Sequence, residues 1–165
     1  MEKCFADCHR KLETNSVMHE NGECVVWTGC VSKQGYGQFR YKDPRDPPSA
    51  GHKTRTSHRI ALLLHMKDFD IPSYLQASHL CNNKLCVNIR HLTFERNSTN
   101  NLRKSCFSQS RCFGHYDVNG NRLPDCLIHL KCWYPLQVCL RSLICVKRLV
   151  GKKRDSCSCV TCDVN

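Results

Sequence analysis

The sequence predicts a small α+β domain in which bound metal supplements the hydrophobic core. Three observations lead there. Short runs of strand composition alternate with two helical stretches in a chain of 165 residues, enough for one domain with a tail. The apolar fraction is 41%, but that figure includes 15 cysteines, so the conventional core is thin and the domain needs staples. The cysteine number is odd, which a closed set of disulfides cannot use up, and histidines recur beside cysteines as they do in zinc ligand sets. The opening MEKCFADCHRKLETNSV holds no apolar run. No secretory signal is expected, and the chain is expected inside the cell, where thiols stay reduced.

Taken in order, residues 1–21 read as a polar, irregular arm in which Cys4, Cys8 and His9 lie close together without an evident fourth ligand. Glu23 to Thr28 has strand composition, Lys33-Gln34-Gly35 is a turn, and Tyr36 to Tyr41 is a second strand with aromatic and basic residues interleaved, so a hairpin or meander is expected. A proline-rich loop covers residues 43–53, and Thr56 or Ser57 caps a helix running from His58 to His65. Leu75 to Leu80 is a short strand, a loop dense in Asn and Cys follows, and residues 92–104 read as a polar helix. Residues 105–131 are loops held by Cys and His. From Cys132 the chain turns apolar and cysteine-bearing, then basic. The predicted organisation is therefore an arm (1–21), a zinc-bound domain (22–131) and a cysteine-rich basic tail (132–165).

Two ligand sets carry the zinc expectation. Cys81-x4-Cys86-x4-His91 supplies three N/S donors, and tetrahedral zinc needs a fourth; Cys24 on the upstream strand is the first choice and Cys30 the second. Cys106-x5-Cys112-x2-His115-x10-Cys126 supplies four donors by itself, with His129 or Cys132 able to stand in for Cys126. Zinc across the first set would close a long loop of chain and replace missing core.

Two further residues bracket the first set. His79 sits on the strand two residues before Cys81, and Asn100 sits on the following helix one turn before Arg103 and Lys104. Strand, zinc loop and helix form a ββα-like unit in which the two would face one another across a small gap. A neutral imidazole accepts a proton from water near neutral pH. An amide oxygen is a hard, uncharged ligand suited to Mg²⁺, which also takes a substrate phosphate and stabilises charge on it. The formal net charge of +11 suits a polyanionic partner, and no stretch approaches membrane-spanning length.

The run Ala77-Ser78-His79-Leu80-Cys81-Asn82-Asn83-Lys84-Leu85-Cys86-Val87-Asn88-Ile89-Arg90-His91-Leu92, followed by Glu95, Asn100, Arg103 and Cys106, resembles the His-Cys box of homing endonucleases in the ββα-metal (HNH-like) superfamily. Cys24 to Gly29, Gly35-Tyr36-Gly37 and His58-Arg59 resemble the preceding strands and helix of that family. The resemblance implies a ββα-metal nuclease fold with an antiparallel sheet and two structural zinc ions. It implies Cys24, Cys81, Cys86 and His91 at the first zinc, and Cys106, Cys112, His115 and a late cysteine, Cys126, at the second. It implies His79 as general base, Asn100 as the single Mg²⁺ ligand, and site-specific hydrolysis of double-stranded DNA by a homodimer. Gln38, Arg40 and Lys42 would touch DNA from the β region, with Arg59 and Arg103 expected as further DNA contacts. A transition-state arginine is expected from Arg40, Arg45, Arg55 or Arg59. Lys147-Arg148 and Lys152-Lys153-Arg154 resemble a nuclear-import cluster. The competing functions are a catalytically inactive zinc-dependent DNA-binding module derived from such a nuclease, and a secreted disulfide protein.

Overall fold

The computed structural model describes residues 2–20, 23–43, 45–47 and 49–129. The expected tail, and with it the basic clusters after residue 146, lies outside the described residues, as do the alternative ligand Cys132 and the end of the ligand loop beyond residue 129. In chain order the elements are α1 (Glu2–Thr14), β1 (Ser16–Met18), β2 (Val25–Trp27), β3 (Gln38–Tyr41), β4 (Lys53–Thr56), α2 (Ser57–Met66), β5 (Leu75–His79), a 3₁₀ turn (Ile89–His91), β6 (Leu92–Arg96), α3 (Asn97–Ser108), β7 (His115–Tyr116) and β8 (Arg122–Leu123). The strands pair antiparallel, two by two, as β1–β2, β3–β4, β5–β6 and β7–β8. The fold is a small mixture of helices and antiparallel strands with two Cys/His clusters.

The core centres on α2. Ile60, Ala61, Leu62, Leu63 and Leu64 are all buried, so this short helix is enclosed on every side rather than along one stripe. Trp27, Phe39, Tyr41, Phe69, Val87 and Leu92 surround it. It ends at Lys67 in the left-handed conformation (φ 54°), where the Lys67 and Asp68 N–H groups return to Leu64 and Leu63 carbonyls. The β5–β6 hairpin is the next layer. Ala77 and Phe94 pair across it and pack on the α2 core, while Ser78 and Glu95 are buried on the other face, under α3.

Three expectations are corrected. Residues 2–14 are helical, because Cys4, Phe5, Cys8 and Leu12 line one helical face and pack on the core, with Phe5 edge-on to Phe69 at 5.1 Å. Residues 24–41 are not one hairpin: β2 pairs back with β1, and β3 pairs forward with β4. The α3 helix begins at Asn97, since Leu92 to Arg96 alternates as a strand against β5. Gly37 explains how closely β3 meets α2. A Cβ there would lie 2.3 Å from Ser57 Oγ and 2.5 Å from the Trp27 ring, and the Gly37 carbonyl accepts from Ser57 N at 2.8 Å.

Candidate functional site

The first ligand cluster is assembled by β2. Trp27 N donates to Leu85 O (2.8 Å) and Val87 N to Val25 O (2.7 Å), so β2 runs beside the ligand loop and brings Cys24 against Cys86. Asn88 closes the other side: its side chain accepts from Arg90 N at the 3₁₀ turn and donates to Glu23 O at 2.7 Å. The ligand atoms of Cys24, Cys81, Cys86 and His91 then lie within 4.8 Å of one another, and all four residues are buried. His91 turns Nδ1 toward Cys24 Sγ (3.5 Å) and Cys86 Sγ (3.6 Å).

The donor chemistry fits zinc. The Cys81 thiol is pushed far above the usual thiol range, first by its hydrogen bond to Cys86 and then by burial, whereas Cys86 is held below it by the same bond. Buried thiols so crowded share protons, and a divalent cation among them would displace those protons and stabilise thiolates. Cys24 and Cys30 are disulfide-bonded in this structure. That bond and ligation by Cys24 exclude one another, because a disulfide sulfur offers a cation no thiolate. Four converging buried donors favour the reduced, ligating use.

The second cluster hangs on α3. Cys106 comes from the helix, Cys112 from the turn beyond it, His115 from β7 and Cys126 from the returning chain, again within 4.8 Å. His115 Nε2 faces Cys126 Sγ (3.2 Å) and Cys106 Sγ (3.5 Å). Burial raises the Cys126 thiol to about 12 while Arg103 opposes the rise. The two Cys₃His clusters fit two zinc ions. Leu127 N donates to Leu80 O at 2.7 Å, so the second loop is anchored to the residue between His79 and Cys81.

His79 ends β5. Its Nε2 lies 3.1 Å from the Cys86 carbonyl, which can only accept, so Nε2 carries the proton and Nδ1 is left as an acceptor. The His58 ring stands 4.3 Å away and Tyr36 stacks at 6.2 Å. Burial, and then His58, hold His79 well below the usual imidazole range, so the ring is neutral at pH 7. Neither Tyr36 nor His58 was singled out from sequence as a neighbour of His79; their separation in the chain hid them.

Asn100 lies one turn into α3. Its Oδ1 accepts from Ser78 Oγ at 2.9 Å, and its Nδ2 donates to Gln76 Oε1 at 2.9 Å. Its neighbour Asn101 is exposed and bonded to Lys104, so it is Asn100 that β5 grips. Alternation along β5 sets Ser78 on the α3 side and His79 on the α2 side. Asn100 is thus bonded to the strand residue next to His79, which places the two expected partners on adjoining sides of the end of β5.

Gln38, Arg40 and Lys42 are exposed along one side of β3, alternating with buried Phe39 and Tyr41. Thr56 and Thr54 stand opposite Gln38 and Arg40 on β4. Two arginines expected at DNA are turned inward instead. Arg59 donates to Leu75 O (2.5 Å) and Ile71 O (3.3 Å) and lies over the Phe94 ring, holding α2 to the chain before β5. Arg103 is 1% exposed, paired with Glu95 at 2.7 Å, and also donates to Pro124 O and Cys126 Sγ. Its position one turn past Asn100 looked like a solvent face because the partner Glu95 lies on another element. Of the other arginines, Arg45 pairs with Asp43 and Asp70, and Arg55 bonds Tyr41 Oη. Among the described residues Arg40 makes no ion pair. No described helix is long and apolar enough to cross a membrane.

The family model for the zinc-binding loop region of homing endonucleases matches residues 23–143. No curated protein and no solved structure matches the chain.

Proposed function

The chain belongs to the homing endonuclease zinc-binding loop family, and from that premise we propose that it is a Mg²⁺-dependent endonuclease hydrolysing phosphodiester bonds of double-stranded DNA, with His79 as general base and Asn100 as the cation's ligand. The observation that carries this reading is the tautomer of His79. With Nε2–H committed to the Cys86 carbonyl at 3.1 Å, a neutral ring presents Nδ1 as a base of fixed direction.

In this reading a phosphate lies across the end of β5. His79 Nδ1 takes a proton from water as the water oxygen bonds to phosphorus. The P–O3′ bond breaks, and the leaving oxygen takes a proton from solvent, which gives 5′-phosphate and 3′-hydroxyl ends. Arg40, exposed and outside any described ion pair, is the arginine we assign to the phosphate, and Gln38 and Lys42 extend the same strand along the duplex. When bound, Mg²⁺ supplies charge stabilisation at the phosphate and the leaving oxygen. Asn100 would hold it through Oδ1, a hard neutral oxygen with a lone pair beyond the one Ser78 uses. Action as a homodimer is carried by the family resemblance alone, and a nuclear location by the basic clusters after residue 146, outside the described residues.

The test is plasmid relaxation by the zinc-loaded chain with Mg²⁺, beside His79→Ala. Loss of general-base help should slow nicking by at least about 10²-fold. Equal nicking by both proteins sinks the assignment. Binding of duplex without cleavage under any divalent metal would favour the inactive DNA-binding module.

A further inference from the structure

Strand β5 holds Asn100 at both ends of its carboxamide, and we infer that Ser78 and Gln76 are positioning residues that set the plane and polarity of that amide for a divalent cation. This rests on the reading of Asn100 as the cation's ligand. Ser78 is 1% exposed, and its hydroxyl donates to Asn100 Oδ1 at 2.9 Å. Gln76 is exposed, and its Oε1 accepts from Asn100 Nδ2 at 2.9 Å. The period of two along β5 puts both on the side that meets α3.

An asparagine side chain left to itself rotates broadly about its last torsion, and a half turn exchanges an acceptor for two donors. Mg²⁺ takes oxygen ligands in near-ideal octahedral geometry, so an amide turned the wrong way offers it nothing. The cradle restricts this freedom. Ser78 occupies one lone pair of Oδ1 and leaves the other; Gln76 keeps the nitrogen end away from it. Reversing Asn100 would require the Ser78 hydroxyl and the Gln76 amide to reverse as well. Ser78 does so from a buried position, so its contribution is the larger. Neither residue reaches the reacting atoms; both act through Asn100.

The experiment is a cation titration of the whole zinc-loaded chain. Ser78→Ala should raise the Mg²⁺ concentration for half-maximal cleavage about fivefold, the worth of one hydrogen bond, with the rate at saturating Mg²⁺ within about twofold of the parent. Gln76→Ala, at an exposed site that leaves folding alone, should shift it about twofold. Mn²⁺ binding followed by electron paramagnetic resonance, with a phosphorothioate duplex present, should move the same way without any turnover. Lower melting temperature or lower maximal rate with unmoved half-saturation would make Ser78 merely structural and overturn the inference. Both variants titrating like the parent, while Asn100→Ala is inactive, overturns it alone. Asn100→Ala with full cleavage and full Mn²⁺ binding overturns the reading of Asn100 and this inference together.

Discussion

The cluster at Cys24, Cys81, Cys86 and His91 draws its ligands from chain segments far apart, whereas the cluster at Cys106, Cys112, His115 and Cys126 draws all four from one loop and the helix before it. The donor sets are identical and the burial is not: the first is wholly buried, while Cys112 of the second is only partly covered. The first cluster continues the core, with Val26 buried among its cysteines and Leu85 packed on both groups. The second lies beyond α3, with Phe113, Tyr116 and Val118 exposed around it. Closing the chain from residue 24 to residue 81 removes about 1 kcal/mol more unfolded-state freedom than closing it from 106 to 126, so burial and continuity with the core, more than loop length, set the two sites apart. One cation site is therefore expected to decide whether the domain folds, and the other to decide how one loop is held.

The largest effect tests this directly. Structural zinc contributes on the order of 10 kcal/mol or more, as much as the whole stability of a small domain. Cys81→Ser should leave the chain without a cooperative melting transition. Cys112→Ser should lose one zinc equivalent yet keep the α2 core, with hydrogen exchange accelerated only around residues 106–126. Equal unfolding by both variants would break the distinction. The disulfide-bonded state of Cys24 sharpens it further. Protein refolded without reductant should carry one zinc, and protein reduced beforehand should carry two, as measured by mass spectrometry of metal content.

The next effect concerns how the outer loop is attached. Arg103 and Glu95 form a buried ion pair with side chains 2% and 0% exposed, and the same guanidinium reaches Pro124 O and Cys126 Sγ. Removing one partner of such a pair strands a buried charge and typically costs about 3–5 kcal/mol. Arg103→Met should lower urea stability by that order, and adding Glu95→Leu should recover most of it. A loss confined to the second zinc, with global stability intact, would show instead that Arg103 serves the loop alone.

Much of this division was legible in the sequence, because metal ligands recur at short spacings that survive without knowledge of the fold. Three ligands of the first cluster and all four of the second could be read that way, whereas Cys24 was preferred over Cys30 for its place on an expected strand beside the loop. Pairing could not. β2 looks like a partner for the next strand because it is close in sequence, yet its partner is β1, and only the packing of α1 shows why that segment is ordered at all. Arg59 and Arg103 illustrate a second limit. A basic residue on a polar stretch looks solvated until the element carrying its acceptors is in place, here the carbonyls of residues 71 and 75 for one and Glu95 for the other. The surroundings of His79 were hidden likewise, since Tyr36 comes from the turn before β3 and His58 from α2.

That ring cluster gives the smallest effect, and a pH signature belonging to the inner region alone. His58 is 5% exposed, and burial lowers it from the ordinary 6.5 to about 4, with Arg59 adding to the fall and the Ala77 backbone opposing it. The folded state thus prefers neutral His58, while the unfolded chain takes up a proton from about pH 6.5 downward. The stabilisation is complete above that pH and is lost as pH falls toward 4, by at most roughly 3 kcal/mol. His58→Phe keeps a ring of similar reach against Tyr36 and His79 without the titration. Its unfolding free energy should decline less steeply than the parent's between pH 6.5 and 4.5, while acid loss of both zincs, common to the two proteins, cancels in the difference. Hydrogen exchange at pH 5 should then show the parent loosening around α2 and β5 before residues 106–126, because no comparable buried ring cluster stands against the outer loop among the described residues. Parallel pH profiles for the two proteins would place the acid sensitivity in the metal ligands and remove His58 from the account.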